Sequence, residues 1–162
     1  MKDNTGVSSD PKPNVNVRIV RADEMGKLLE LYRHLNPDDP DISGKKETQK
    51  LWKEILQDPG QFLFVIEKDG LLVASCTLVI VNNLTRGGRP YALIENVVTH
   101  SGYRKRGYGR AVLEKAITTA RENGCYKVML MTGRKDEGTL SFYEKVGFER
   151  GMKTAFCIKF KD

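Results

Sequence analysis

The segment Arg104-Lys105-Arg106-Gly107-Tyr108-Gly109-Arg110 joins two contrasting hydrophobic patterns. Residues 91–98 before it are apolar, which predicts a β-strand, and the apolar side chains after it recur at helical spacing up to about Asn123. The N–H groups in the first turn of a helix have no partner inside the helix, and the helix dipole attracts anions to that end. The glycines leave the backbone open to close approach, and four basic side chains surround it. The segment therefore predicts a site for a diphosphate group.

This segment matches neither of the common phosphate-binding signatures. GxxxxGK[ST] is absent, and so is the full GxGxxG of dinucleotide-binding folds. Taken alone, a basic turn with two glycines is as often a solvated turn as an anion site, so both interpretations stay open on these residues. The net charge of +6 favours a polyanionic partner of some kind. Because the densest basic cluster occupies one turn rather than a helix face or an aromatic-rich strand, we expect a compact phosphate group and no nucleic acid.

Around this segment, strand and helix patterns follow one another along the whole chain. Alternating or continuous apolar runs predict strands at residues 15–20, 62–67, 71–81, 91–98, 126–132 and 154–160. Helical spacing predicts helices at residues 23–34 and 44–57, from the basic loop (residues 101–109) to about 123, and at 137–146. The order β-α-α-β-β-β-α-β-α-β predicts an α/β fold with a mixed sheet covered by helices. Residues 1–14 are polar and predict a disordered tail, which leaves residues 15–162 as a single domain.

Composition argues against a membrane protein, a disulfide-stabilised protein and a metal site. The longest apolar stretch, residues 71–81, is far shorter than the roughly 20 residues that cross a bilayer, so no membrane partner is expected. Three widely spaced cysteines argue against a disulfide framework and for a reducing, cytoplasmic location. With two histidines and no CxxC or HExxH, no metal site is predicted.

Two motifs resemble one superfamily. The pattern Arg104-x-x-Gly107-x-Gly109, between an apolar strand and an amphipathic helix, resembles the [Q/R]-x-x-G-x-[G/A] acyl-CoA pyrophosphate loop of the GNAT N-acyltransferases. Further along, Phe142-Tyr143-Glu144-Lys145-Val146-Gly147-Phe148 resembles the superfamily's recurrent F-Y-E-K-x-G-F ending. Within the superfamily, residues 94–109 and 125–127 are most similar to glucosamine-6-phosphate N-acetyltransferases. The resemblance spans roughly residues 15–160.

The resemblance implies a fold and a co-substrate. The fold would be a mixed, mostly antiparallel sheet of about six or seven strands flanked by about four helices. A bulge would separate the strand before the loop from its neighbour, and the pantetheine arm of acetyl-CoA would lie in that gap, with residues 128–132 as its other wall. The backbone of Val97, Val98 and Thr99 would bind this arm. The pyrophosphate would be bound by Arg104, Lys105, Arg106, Gly107, Tyr108, Gly109 and Arg110.

Glu95 and Tyr143 are the candidate catalytic residues. Glu95 interrupts an apolar strand, and a partly desolvated carboxylate has a raised pKa, which suits a general base. The alternative for Glu95 is an exposed or salt-bridged side chain. The resemblance places Tyr143 near the thioester sulfur, where its hydroxyl would protonate or hold the departing thiolate and where Tyr143 would also contact the cofactor. The alternative for Tyr143 is a core aromatic residue.

The acceptor is less constrained by the residues. The resemblance implies direct transfer, in a ternary complex, to a primary amine of a small molecule such as an amino sugar, by a chain that can form a homodimer. A non-catalytic acyl-CoA-binding module and an enzyme that acts on a protein or peptide amine remain alternatives. Asn96 stands where the glucosamine-phosphate enzymes usually have an acidic residue, which weakens the assignment of their substrate.

Two features bear on where an acceptor would bind. Tyr32 and Trp52 lie on the first two predicted helices, which shape the acceptor pocket in this superfamily, although both residues also suit core packing. The loop at residues 36–46 contains three aspartates and is either a site of attraction for a cationic amine or a solvated linker.

Overall fold

The computed structural model describes residues 15–160, so the tail predicted at residues 1–14 lies outside the described residues. Its strands are β1 (Arg18–Ile19), β2 (Gln61–Lys68), β3 (Leu71–Val81), β4 (Tyr91–Thr99) and β5 (Val128–Leu130). Its helices are α1 (Met25–Tyr32), α2 (Lys46–Gln57), the single turn α3 (Thr85–Gly88), α4 (Tyr108–Glu122) and α5 (Glu137–Val146). Two short 3₁₀ turns, Ala22–Glu24 and Ser101–Tyr103, precede α1 and α4. None of the helices in residues 15–160 is long and apolar enough to cross a membrane.

The five strands form one mixed sheet in the order β1-β2-β3-β4-β5. Neighbouring strands are antiparallel from β1 to β4, and β5 runs parallel to β4. The hairpin between β2 and β3 turns at Asp69-Gly70, where both residues have positive φ angles of 52° and 79°. Such a turn matches the right-handed twist of the flanking strands, which explains why Asp-Gly occupies it. The predicted α/β class with a mostly antiparallel mixed sheet is confirmed.

The predicted number of strands was too high, because the last predicted strand does not form. Thr154–Phe160 has no regular structure and pairs with no strand of the sheet. Its apolar side chains are exposed instead, with Phe156 and Phe160 each at 92% of full exposure. An alternating pattern becomes a strand only where another edge accepts its hydrogen bonds and a surface covers its apolar side. Neither condition is met within the described residues.

Side-chain alternation in the central strands builds a core on each face of the sheet. On β2, Phe64 and Ile66 pack with α4, whereas Leu63 and Val65 pack with α1 and α2. Each such burial contributes roughly 1.5–3 kcal/mol relative to an exposed side chain. The α4 face holds the larger cluster, and the opposite face leaves room for a pocket between the helices and the sheet.

Candidate active site

The site begins where β4 and β5 separate. Their register runs from Ala92 opposite Val128 to Ile94 opposite Leu130 and stops there, while β4 continues to Thr99. Beyond Ile94, the edge of β4 that faced β5 therefore has no strand partner among the described residues. Backbone N–H and C=O groups on such an edge are free to bind an extended ligand. The resemblance implies a gap at this position, and the pairing of β4 with β5 ends there and leaves an unpaired edge.

A bulge on the other side of β4 coincides with this separation. Ser75 of β3 pairs with Val98, but Thr77 pairs with Glu95, so Asn96 and Val97 together lie opposite a single β3 residue. Asn96 has a φ of 51°, in the left-handed region that asparagine tolerates better than most residues. A bulge of this kind bends the strand and changes the direction of its side chains. Glu95 already lies on the face that carries α1 and α2, because it pairs in regular register with Thr77, and the bulge adds Asn96 to that face.

The basic loop ends at the exposed start of α4. Gly107 is the N-cap residue with a φ of 81°, and no side chain caps the N–H groups of the first turn. Lys105 also has a positive φ of 59°, so two left-handed residues shape the approach to the helix. Successive N–H groups in such a turn form a concave anion site, which the helix dipole strengthens. These features fit the pyrophosphate of an acyl-CoA.

The basic side chains of this loop make different contacts. Arg104 Nε donates a hydrogen bond to the Thr99 carbonyl oxygen at 3.3 Å, and Arg106 lies over the Tyr103 ring at 5.2 Å. Arg110 Nε donates to Glu114 Oε1 at 2.8 Å, so its charge is shared with a carboxylate. Tyr108 is buried in the core, and only its backbone is placed to contact an anion. The basic side chains of the loop therefore differ in how readily they can bind an anion, and Arg110, which is paired with Glu114, is the least available of these three.

Gly109 links the loop to two other parts of the site. A Cβ atom at this position would lie 3.0 Å from Thr99 Oγ1 and 3.3 Å from Phe142 Cζ. The absent side chain lets the first turn of α4 pack against the end of β4 and against α5. Gly109 is needed for this packing, a reason that the sequence pattern alone did not reveal.

Tyr143 and Glu95 lie close enough to interact electrostatically. Burial raises the pKa of the Tyr143 phenol above its usual value, nearby Arg134 opposes this, and the charge of Glu95 raises the pKa further. The phenol is therefore protonated at neutral pH and able to donate a hydrogen bond. The partial desolvation of Glu95 expected from the sequence is wrong: its side chain is exposed, which is the alternative that the sequence left open.

His100, beside the strand that carries Glu95, has a structural role. Its Nδ1 accepts a hydrogen bond from the Gly102 N–H at 3.1 Å and so caps the turn that leads into the basic loop. Its ring packs 4.1 Å from the ring of His34, which follows α1. This pair connects the loop to the α1 side of the molecule.

A pocket of about 540 Å³ lies between α1, α2 and the sheet. Leu63, Thr77 and Asn96 form its sheet side, next to Glu95, and Trp52 lines the α2 side. Tyr32 of α1 also lines the pocket. Burial raises the pKa of its phenol, and hydrogen bonding with Thr77 opposes this only in part. The hydroxyl of Ser75, two residues from Thr77, is also buried and lies beside the Tyr32 phenol.

Sequence reasoning missed the hydroxyl groups of β3. Ser75 and Thr77 are polar residues two apart in an otherwise apolar strand, a spacing that puts both on one face. That spacing was the available signal, but only the register with β4 shows that this face is the pocket. Among residues 15–160, no group of three or more histidine, cysteine, aspartate or glutamate residues is placed to bind a metal.

Known proteins that are similar to this chain in sequence or structure include acetyltransferases of one family. The model of the acetyltransferase (GNAT) family matches residues 28–148. A glucosamine 6-phosphate N-acetyltransferase of Trypanosoma brucei brucei is 33% identical over 143 residues, which cover 86% of this chain and 95% of that protein. A solved structure of a protein from Agrobacterium tumefaciens str. C58 is 46% identical, has a TM-score of 0.85, and is matched over 90% of this chain and 100% of that one. The structure of glucosamine-6-phosphate N-acetyltransferase from Arabidopsis thaliana is 26% identical with a TM-score of 0.77, over 91% and 98% of the two chains.

Proposed function

The chain belongs to the GNAT family and is an N-acetyltransferase, and from this premise we propose that it transfers an acetyl group from acetyl-CoA directly to a primary amine of a small molecule. The observation that carries the proposal is the separation of β4 from β5 beside the uncapped start of α4. One end of this gap reaches the basic loop, and the other lies at the bulge next to the pocket. An extended co-substrate in the gap would present its acetyl group at Glu95 and Tyr143.

The co-substrate side of the site suits an acyl-CoA. The free edge of β4 from Glu95 to Thr99 would bind the pantetheine arm through backbone hydrogen bonds, with Val97, Val98 and Thr99 in contact. The first-turn N–H groups of α4, together with Lys105 and Arg106, would bind the pyrophosphate. Acetyl-CoA supplies the acetyl group in the activated form of a thioester.

Glu95 and Tyr143 would divide the proton transfers between them. The amine nitrogen forms a bond to the acetyl carbonyl carbon, and the bond from that carbon to sulfur breaks. Glu95, exposed at the pocket, takes the proton that the amine loses, directly or through a water molecule. Tyr143 donates a hydrogen bond to the departing thiolate. Because the Tyr143 pKa is raised, whereas a thiol has a pKa of about 8.5, full transfer of the phenol proton is uphill. The hydrogen bond is therefore the main contribution of Tyr143.

The shape of the pocket favours a small acceptor over a peptide. It is a recess closed on three sides by α1, α2 and the sheet, and its volume of about 540 Å³ lies within the range of small-molecule sites. Retention of both Glu95 and Tyr143 beside it favours an active enzyme over a non-catalytic acyl-CoA-binding module.

We further propose that the chain acts as a cytoplasmic homodimer. The exposed apolar side chains of Phe156, Ile158 and Phe160 alternate along one extended segment, and a second copy would cover them. All three cysteines of the chain are free, in keeping with a reducing compartment. Sedimentation velocity distinguishes the dimer from a monomer, and a Phe156→Ser variant is expected to shift the distribution toward the monomer.

Calorimetric titration with acetyl-CoA, followed by assay of thiol release with a set of primary amines, tests the proposed reaction. Acetyl-CoA should bind far more tightly than adenosine, which lacks the pyrophosphate and the pantetheine arm. We expect a Kd of tens of micromolar or lower, which corresponds to a binding free energy of about 6–7 kcal/mol or more. No binding of acetyl-CoA in this range would refute the assignment.

A further inference from the structure

The pocket between α1, α2 and the sheet is built in three zones. Its base on the sheet is polar and holds Thr77 and Asn96 beside Glu95. Its walls are mostly apolar side chains of α1, α2 and β2, with Thr48 and Gln61 among them. Its rim consists of Glu30, Arg33, Asn36 and residues 39–43. The three zones differ in chemistry, and together they restrict the molecule that fits.

The walls suit an apolar body. Leu28, Trp52 and Leu63 are buried side chains that contact the pocket, and Leu51 lines it while half of its surface is exposed. A ligand that covers such a surface gains about 25 cal/mol for each Å² of apolar area removed from water. Apart from Thr48 and Gln61, the hydroxyl groups of a sugar would find few hydrogen-bond partners along these walls and would lose water there.

The rim is acidic. Glu30, Asp39 and Asp41 line it with Arg33 as the one basic residue among the described lining residues. Arg33 lies 3.7 Å from a carboxylate oxygen of Glu30 and 3.7 Å from one of Asp41, so carboxylates already surround its charge. Lys45 also acts on Asp41, but the three rim carboxylates still outnumber these two cations. A phosphate entering here would therefore meet a net negative charge, whereas an ammonium group would be attracted.

From these zones we propose that the acceptor is an unphosphorylated primary amine with an apolar or aromatic body. It enters as an ammonium ion past the acidic rim, packs its body between Leu28 and Trp52, and places its nitrogen at the polar base beside Glu95. This inference rests on the proposed acetyltransferase function and separates this chain from the relatives named for glucosamine 6-phosphate. It extends the function by naming the class of acceptor.

Trp52 makes the pocket directly observable, because it is the one tryptophan of the chain. Its indole Nε1 donates a hydrogen bond to the Ala22 carbonyl oxygen at 2.9 Å, which holds the ring in place at the wall. The probes are benzylamine, benzyl alcohol, which has the same body without the amine, and glucosamine 6-phosphate. Trp52 emission reports binding, and thiol release from acetyl-CoA reports transfer.

Benzylamine should change Trp52 emission in a saturable way and be acetylated with a kcat/KM at least tenfold above that of glucosamine 6-phosphate. Benzyl alcohol should bind more weakly than benzylamine. A kcat/KM for glucosamine 6-phosphate equal to or above that of benzylamine would overturn the inference, and so would unchanged Trp52 emission with benzylamine. Neither result would touch the proposed function, which fails separately if acetyl-CoA does not bind.

Two charge reversals in the same loop provide a matched comparison. Asp41→Lys changes a residue that lines the rim, whereas Asp38→Lys changes an exposed neighbour that does not line it. Asp41→Lys should raise the KM for benzylamine about fivefold and leave acetyl-CoA affinity unchanged. Asp38→Lys should change the KM by less than about twofold at physiological salt. Equal effects of the two variants would contradict an acceptor that passes the rim.

Discussion

Thr99 and Gly109 touch across the junction between β4 and α4, and the contact leaves no room for a side chain on the glycine. A Cβ atom on Gly109 would lie 3.0 Å from Thr99 Oγ1, closer than atoms normally pack. Phe142 of α5 closes the space from the other side, at 3.3 Å from the same point. One small residue therefore fixes the end of β4, the start of α4 and α5 relative to one another.

Replacing Gly109 by alanine should move the first turn of α4 away from β4. We expect acetyl-CoA affinity to fall about tenfold, because the N–H groups proposed to bind the pyrophosphate are displaced. Stability should fall by about 1–3 kcal/mol through overpacking. Calorimetric titration and chemical denaturation measure the two effects. Gly26→Ala in α1 is the control, since nothing lies within 4 Å of its added Cβ. That variant should gain about 0.4–1 kcal/mol and keep its acetyl-CoA affinity.

The charge of the basic loop should control co-substrate binding. Arg106→Glu places a carboxylate beside the proposed pyrophosphate site, and we expect the Kd of acetyl-CoA to rise about tenfold at low salt. The difference from the wild type should shrink as the salt concentration increases, because the loop is exposed to solvent. Lys53→Glu on the exposed side of α2 makes the same charge change far from the loop. A similar loss of affinity in both variants would show that only net charge matters.

Tyr143 should act on turnover rather than on binding. Tyr143→Phe removes the hydroxyl and keeps the ring contacts with Phe142 and Phe148. We expect kcat to fall by about 10²-fold while the Kd of acetyl-CoA stays within about twofold. Because burial and Glu95 raise the Tyr143 pKa, the wild-type rate should show no loss from phenol ionisation below about pH 10. Tyr91→Phe, at the other end of β4, is the control, and wild-type turnover in Tyr143→Phe would exclude a role for its hydroxyl.

How much of the fold could be predicted depended on how local each signal was. Residues 71–81 and 137–146 match β3 and α5 in the structure, because continuous apolar strands and helical spacing are properties of a short segment. The strand at 154–160 failed for the opposite reason: its alternation is local, but strand formation depends on a partner edge elsewhere. The Asp69-Gly70 turn needs no such partner, because its positive φ angles are a property of the two turn residues themselves.

The candidate site was predictable where a motif marked it. The turn before α4 and Tyr143 followed from recurrent residue patterns, and their catalytic and binding roles remain predictions. The exposure of Glu95 was only an alternative in the sequence analysis, because it depends on how the helices cover that face of β4, which no residue type encodes by itself. The grouping of Tyr32 with Thr77 arises only when α1 packs on the sheet.

Glu95 should matter most when the amine arrives protonated. Glu95→Gln cannot accept the amine proton, so we expect kcat/KM near neutral pH to fall by about 10²-fold or more. The deficit should diminish as the pH approaches the pKa of the amine, because the neutral amine then needs no base. The pH dependence of kcat/KM in both proteins measures this. Glu149→Gln, an exposed residue after α5, is the matched control, and a deficit that is constant with pH would point to a positional effect instead.

Glu24 should dominate the acid sensitivity of the fold. Only 1% of Glu24 is exposed, and its two carboxylate oxygens each accept a hydrogen bond from Arg18 at 2.7 Å, with another from the Arg21 N–H at 2.8 Å. These contacts lower its pKa from 4.5 to about 2. A carboxylate with a lowered pKa in the folded state stabilises the protein above its unfolded pKa. This stability should disappear as the pH falls from about 4.5 toward 2.

Glu24→Gln should therefore lose on the order of 3 kcal/mol of unfolding free energy at pH 7, and the difference from wild type should narrow steadily below pH 4.5. Urea denaturation at a series of pH values measures this. Other carboxylates with lowered pKa values, such as Asp136 and Glu137, are present in both proteins and cancel in the comparison. Glu54→Gln removes an exposed pair with Lys50 and should cost no more than about 0.5 kcal/mol. A gap between Glu24→Gln and wild type that stays the same from pH 7 to pH 3 would mean that Arg18 does not stabilise the ionised form of Glu24.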